Sequence, residues 1–257
     1  MEILYEDNHV IVVNKASSEI VQADKSGDIP LSEMVKEYLK EKYQKPGNVF
    51  LGITHRIDRP VSGAVLFAKT SKALTRLNDM FRYHSNLKKQ YWAIVKNLPP
   101  QDEMTLVHYL TRNERLNKTF ASEERTEGSK KSILSFRRIA DSDNYHLLEI
   151  DLKTGRHHQI RCQLSTIGCP IKGDTKYGFP RSNTDGGISL HARYLEFIHP
   201  VSKKLIGVEA PLPNDILWDE FARILDVNPD GGIFVMEPEE YEQIERERAE
   251  EMKKLGM

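Results

Sequence analysis

Two polar clusters in this 257-residue chain hold residue types that chemistry needs. The first is Leu51-Gly52-Ile53-Thr54-His55-Arg56-Ile57-Asp58-Arg59-Pro60-Val61-Ser62-Gly63, where Asp58 stands between two arginines in a polar loop clamped by apolar runs. Arginines on either side favour the carboxylate form, and an ionised carboxylate serves as nucleophile or base. Taken alone, the triplet reads more readily as a surface aspartate paired with a neighbouring arginine. The second cluster is Lys153-Thr154-Gly155-Arg156-His157-His158-Gln159-Ile160-Arg161. It sets polar and charged side chains at the start of a helix behind a glycine turn, where free backbone N–H groups can meet phosphate. An ordinary helix start with exposed charges has the same composition.

Other chemistries lack their residues. Cys162 and Cys169 stand seven apart with no second cysteine pair, which does not make a zinc site. His157 and His158 are adjacent, so on a helix they point about 100° apart. There is no G-x-x-x-x-G-K-[ST] loop, no G-x-G-x-x-G fingerprint and no G-x-S-x-G elbow. No metal, nucleotide or other cofactor is expected.

The elements that must position the two clusters follow from periodicity. Val10–Val13 reads as a strand, and Leu31, Met34, Val35, Tyr38 and Leu39 mark an amphipathic helix that Pro46-Gly47 breaks. Strands are expected around Val49–Ile53 and Ala64–Ala68, on either side of Asp58. A helix follows, capped by Ser71, with Leu74, Leu77 and Phe81 on its apolar face. Tyr91–Val95, Ile133–Ile139 and Tyr145–Asp151 are further strands. The second cluster then opens a helix with Ile160, Leu164 and Ile167 on one face, stopped at Gly168. Strands near Ser189–Phe197 and Leu205–Val208 and a helix from about Asn214 to Leu225 complete the pattern. Without a βαβ rhythm, this predicts an α+β fold with a mixed, largely antiparallel sheet and flanking helices. A catalytic domain over residues 1–226 is expected, then a charged helical tail over residues 227–257.

Composition agrees with a soluble globular chain: 39% hydrophobic and 29% charged. No apolar run approaches the roughly 18–20 residues of a membrane span. The acidic opening MEILYEDNHV does not suit a signal peptide. Two cysteines build no disulfide framework, so a cytoplasmic location is expected. The formal net charge is −1, but residues 53–96 carry nine Lys/Arg against two Asp, residues 153–176 carry five against one, and residues 237–257 hold −4. Basic surface around both clusters leaves nucleic acid open as a partner. The polar stretch Thr111–Lys131 reads as a long hairpin or mobile insertion whose clustered basic residues could close over such a partner.

The order of blocks along the chain resembles the RluA-type RNA pseudouridine synthases. The blocks are Tyr5-Glu6-Asp7 through Val13-Asn14-Lys15, H-R-I-D-x-x-x-S-G at His55–Gly63, and Lys89-Gln90-Tyr91-Trp92-Ala93. T-G-R-x-H-Q-I-R at Thr154–Arg161, Pro170–Asp174 with Lys176-Tyr177-Gly178, Leu190-His191-Ala192-Arg193 and Ala210–Pro213 continue the order. The resemblance implies the pseudouridine synthase fold and isomerisation of uridines to pseudouridine in structured RNA, tRNA before rRNA, by a monomer. It implies that Asp58 is the catalytic aspartate, that Tyr91 stacks on the target uracil and that Arg161 pairs with Asp58. Arg56 would enter the RNA near the extruded base, Ile160 and Leu190 would line the pocket, and His55, His158 and Gln159 would contact RNA or base.

Two positions depart from the pattern. Val61 stands where many relatives carry Thr, and with a first strand by residue 10 there is no room for the S4 domain that many relatives have, which points to compact tRNA-type members. A non-catalytic RNA-binding or RNA-folding protein remains an alternative. A glycosidase would need a second carboxylate, and only Glu149 and Asp151 lie near the second cluster.

Overall fold

The structure, a computed structural model, describes residues 1–83, 86–244 and 246. In chain order its elements are β1 (Glu2–Glu6), β2 (Val10–Lys15), α1 (Leu31–Lys42), β3 (Gly52–Ile53), β4 (Ser62–Ala68), α2 (Ser71–Tyr83), β5 (Leu87–Val95) and β6 (Glu103–Asn113). There follow β7 (Lys118–Ser122), β8 (Lys130–Asp141), β9 (His146–Leu152), α3 (Gln159–Thr166), β10 (Leu190–Ile198), β11 (Leu205–Glu209), α4 (Ile216–Leu225) and β12 (Gly232–Met236). A single 3-10 turn spans Thr175–Tyr177.

The strands form one sheet ordered β1-β2-β4-β10-β5-β9-β8-β6-β7, with β3 on β4 and with β11 and then β12 added to β10. Its one parallel pair among the described residues is β4 with β10, at Ser62–His191 and Gly63–Ala192. Gly63 has a φ of +114°, and a Cβ there would collide with the Ala192 carbonyl. Only glycine lets the two backbones meet so closely. That crossing brings the loop carrying Asp58 beside Leu190.

Alternating side chains divide between the faces. Ile11, Val13, Val65, Phe67, Tyr91, Ala93 and Val95 face a core with Leu31, Val35 and Leu39 of α1 and Ile160 and Leu164 of α3. Val10, Val12 and Leu66 face the other way, onto Ala73, Leu77 and Met80 of α2. Trp92, Ile94 and Leu147 pack on Trp218 and Phe221 of α4.

The α+β class and largely antiparallel sheet match expectation, with local differences. The cap of α2 is Thr70, whose Oγ1 accepts from the Ala73 N–H at 3.2 Å, and Ser71 is already helical. The strand expected from Val49 shrinks to Gly52–Ile53. Glu103–Asn113 is a full strand, β6, with Leu106, His108 and Leu110 inward. The polar stretch beyond it makes the β6–β7 hairpin, paired from Tyr109–Ser122 to Asn113–Lys118. Ile233-Phe234-Val235, expected in the tail, instead join the sheet on β11 from Leu205–Met236 to Glu209–Gly232. The Asn228–Gly231 turn returns the chain alongside β11, with Gly231 at φ +71°. Residues 238–244 are helical, and of the tail beyond them only residue 246 is described. No helix among the described residues is long and apolar enough to cross a membrane.

Candidate active site

The loop 54–61 between β3 and β4 is fastened at both ends. Thr54 Oγ1 donates to the Leu66 carbonyl at 2.6 Å, and His55 Nε2 accepts from the Leu66 N–H at 3.0 Å. The His55 ring stacks on Phe81 with centroids 4.6 Å apart. Burial, then the nearby Lys89 charge, pushes its pKa down to about 3, so it anchors as a neutral ring. At the far end the buried Lys15 ammonium donates to the carbonyls of Ala16 and Glu19 at 2.8 Å and of Arg59 at 3.0 Å. Pro60 and Val61 close the loop, with the Val61 N–H on the Asp58 carbonyl at 3.0 Å.

These constraints leave the Asp58 carboxylate at the wall of a cleft of about 1010 Å³. The arginines beside it in sequence do not hold it. Arg59 pairs with Asp28, and the exposed Arg56 reaches Gln22 Oε1 at 3.2 Å. Successive residues of an extended loop diverge, so sequence adjacency does not become contact. The cation at Asp58 is instead Arg161, 103 residues further on, with Nη1 3.2 Å from Oδ2.

Arg161 is itself fixed from behind. Its Nε and Nη2 meet Asp174 Oδ2 and Oδ1 at 2.7 and 2.9 Å, a bidentate fork that holds the guanidinium plane. The guanidinium carbon stands 5.1 Å from the Tyr177 ring centroid. Burial works against the charge of Arg161, but hydrogen bonds and charge from Asp174, then Asp58, raise its pKa overall. His158 comes from the same turn, in the left-handed conformation at φ 52° as the N-terminal boundary of α3. Its Nε2 lies 3.7 Å from Asp58 Oδ2, and its Nδ1 is 2.9 Å from the Tyr177 hydroxyl. Burial, followed by the Arg161 charge, pushes its pKa down to about 2, so it is neutral.

Tyr91, Ile160 and Leu190 line the same cleft and are 8%, 6% and 3% exposed. Burial first, then the Asp58 charge, pushes the Tyr91 phenol up. Gln159 serves the scaffold. Its Oε1 accepts from Thr154 Oγ1 at 2.8 Å and from the Arg156 N–H at 3.0 Å, while its Nε2 donates to the Ile133 carbonyl at 3.1 Å. The structure thus brings Asp58, Tyr91, His158, Ile160, Arg161 and Leu190 together, puts Arg56 at the rim, and commits His55 and Gln159 to holding backbone. Asp174, Tyr177 and Lys15 were not singled out from the sequence. Their only signal is that each sits in a recurring block.

Arg56, Arg82, Lys89, Arg112, Arg156 and Lys176 also line the cleft, and none has a carboxylate partner among the described residues. Unpaired cations around a concave wall favour a polyanion. Glu149 and Asp151, by contrast, pair with Arg137 and Lys153.

The cleft, a carboxylate at its wall and unpaired cations around it, suits a polyanionic substrate, and the comparison with known proteins gives the class, an isomerase acting on RNA. Residues 9–166 match the family of RNA pseudouridylate synthases, and the chain belongs to it, in its RluA type. It is 33% identical over 227 residues to ribosomal large subunit pseudouridine synthase D of Zymomonas mobilis, covering 84% of this chain and 70% of that protein. It is 28% identical over 239 residues to tRNA pseudouridine synthase C of Salmonella typhimurium, covering 85% and 87% respectively. The fold is shared with human RNA pseudouridylate synthase domain containing 4, at a TM-score of 0.70 and 20% identity over 88% of this chain and 94% of that one.

Proposed function

We propose that the chain converts specific uridines of structured RNA to pseudouridine with Asp58 as the catalytic carboxylate. The single observation that carries this reading is the Asp58–Arg161 pair, 3.2 Å apart across 103 residues and open to a cation-rimmed cleft. The reaction breaks the bond from ribose to uracil N1, turns the base, and rejoins it through carbon 5. An ionised Asp58 can attack the sugar or the base, or take a proton to give a glycal.

The target base must first leave its stack, at a cost of a few kcal/mol. Stacking on Tyr91 returns roughly 1–3 kcal/mol, with Ile160 and Leu190 excluding water around the ring. Arg56, exposed at the rim, fills the vacated space or holds phosphate. Both RNA classes named for the relatives are candidates. We put tRNA first, because the match spans 87% of the tRNA enzyme against 70% of the ribosomal one.

The test is carbodiimide mapping of pseudouridine across total tRNA and rRNA, in cells carrying wild-type protein or Asp58→Ala. A stop lost only in the variant supports Asp58 and names the target. Identical maps, with transcripts left unmodified by purified protein, favour RNA binding without chemistry.

A further inference from the structure

Lys89 stands two residues before Tyr91 on β5, so both side chains emerge on the same face, into the cleft. It is 8% exposed, yet its ammonium has no hydrogen bond or carboxylate partner among the described residues. The groups around it are not anions that it can use. Phe81 lies under it with the ring centroid 5.7 Å from Nζ, and His55 is a neutral ring already bonded to backbone. Asp151, the nearest carboxylate to influence it, pairs with Lys153. Burial pushes the pKa of Lys89 down to about 8, Asp151 opposing.

The stem of Lys89 is buried while its ammonium still opens to the cleft, so burial strips most of its water and a ligand in the cleft can supply the anion it lacks. The turn of the second cluster makes room for that anion. A Cβ on Gly155 would stand 3.7 Å from Nζ, an ordinary contact, so the turn faces the ammonium with no side chain of residue 155 between them. Lys89, Thr154, Gly155 and Arg156 thus line the cleft together with Tyr91, and the ammonium there can meet an anion.

We propose that Lys89 binds one particular backbone phosphate of the RNA beside the extruded uridine, fixing the register in which the base reaches Tyr91. The inference rests on the cleft being the RNA site, and its test can fail separately from that of Asp58. The other cations are exposed or at the rim and attract any phosphate, whereas Lys89 is desolvated and accepts one at a single place.

The experiment uses full-length protein with Lys89→Met and Lys89→Arg, and total tRNA followed by the mapped target stem–loop as probes. Affinity is measured by fluorescence anisotropy from 50 to 200 mM salt. Lys89→Met is expected to weaken binding about tenfold, to lower the salt slope by about 0.7–0.9, the value of one phosphate contact, and to leave melting unchanged or higher. Lys89→Arg is expected to keep the slope. Single methylphosphonate linkages, stepped through the three on each side of the target uridine, are expected to remove the Lys89→Met effect at one linkage only. An unchanged slope with a lowered melting temperature overturns the proposal, because Lys89 is then a packing residue. An effect equal at every linkage also overturns it, because the ammonium then adds only to the general field. If Asp58→Asn still forms pseudouridine, the catalytic reading falls and the Lys89 result stands on its own.

Discussion

Two enclosed carboxylates in this fold face opposite fates. Glu6, at the outer edge of the sheet, has both oxygens filled. Lys69 Nζ and the Tyr43 hydroxyl donate to Oε1 at 2.7 and 2.8 Å, and Lys42 Nζ and the Tyr38 hydroxyl donate to Oε2 at 2.7 and 3.0 Å. The Asp58 carboxylate has one hydrogen bond among the described residues, from Arg161, and its side chain is 25% exposed against 7% for Glu6. A carboxylate with every lone pair taken can only hold structure together. One that is oriented from a single side keeps lone pairs for a substrate, provided the orienting cation is itself held. Asp174 does that holding, so the order Asp174–Arg161–Asp58 runs from satisfied to available.

The comparison breaks most sharply at Asp58. Asp58→Asn keeps the shape, and turnover is expected to fall at least about 100-fold, while thermal melting shifts little. A variant with ordinary turnover would move Asp58 to the structural side. Arg161→Met should damage both properties. It leaves Asp174, 1% exposed, as a buried unpaired carboxylate, at about 3–5 kcal/mol. Arg161→Lys separates the two effects, since one ammonium replaces the charge but cannot span Asp174 and Asp58 as the fork does. Its melting temperature should recover more than its turnover.

The converse substitution is Glu6→Gln, expected to cost about 2–3 kcal/mol, because Lys42 regains water while the buried Lys69 does not. Melting should drop by roughly 4–12 °C with turnover intact. Burial raises the Glu6 pKa, but the donors from Lys42, Lys69, Tyr43 and Tyr38 outweigh it and bring it to about 2. Its folded pKa lies below the unfolded value, so the stabilisation is fully present above about 4.5 and is lost as pH falls toward 2. The melting gap between wild type and Glu6→Gln should therefore hold above pH 5 and close on acidification. A gap that widens in acid would contradict the network.

Much of this contrast was legible in the sequence, for unequal reasons. The strand and helix pattern around Asp58 follows from periodicity, because apolar runs such as Ala64–Ala68 are buried on both faces. The Asp58–Arg161 pairing was available only through the resemblance of whole blocks, since the chemical argument from sequence picked Arg56 and Arg59, which point elsewhere. Contacts across more than 100 residues leave no local trace. Asp174 and Lys89 are silent for a related reason, being ordinary charged residues until burial removes water from them. β12 was missed because its apolar residues, Ile233–Val235, are exposed at an edge and sit in a stretch that composition marks as charged.

The smallest expected effect sharpens the comparison from behind the site. The Tyr177 hydroxyl accepts the Thr119 N–H at 2.8 Å, and burial pushes its pKa up to about 12, so its own proton is free to go to His158 Nδ1 at 2.9 Å. With the Tyr177 proton on Nδ1, neutral His158 carries its own on Nε2, the nitrogen that faces Asp58 Oδ2 at 3.7 Å. In that tautomer His158 would act as a positioning residue, a dipole that aligns Asp58 without adding charge. Tyr177→Phe releases the tautomer and leaves the Thr119 amide unpaired, at about 1–2 kcal/mol of stability. Turnover should fall about 3–10-fold, the factor that roughly 1 kcal/mol commands, with KM unchanged. Nitrogen-15 shifts of the His158 ring should show the Nε2–H form in wild type and a mixture in the variant. If the ring already carries its proton on Nδ1 in wild type, the chain from Thr119 to Asp58 is broken at its centre, and Arg161 alone orients the carboxylate.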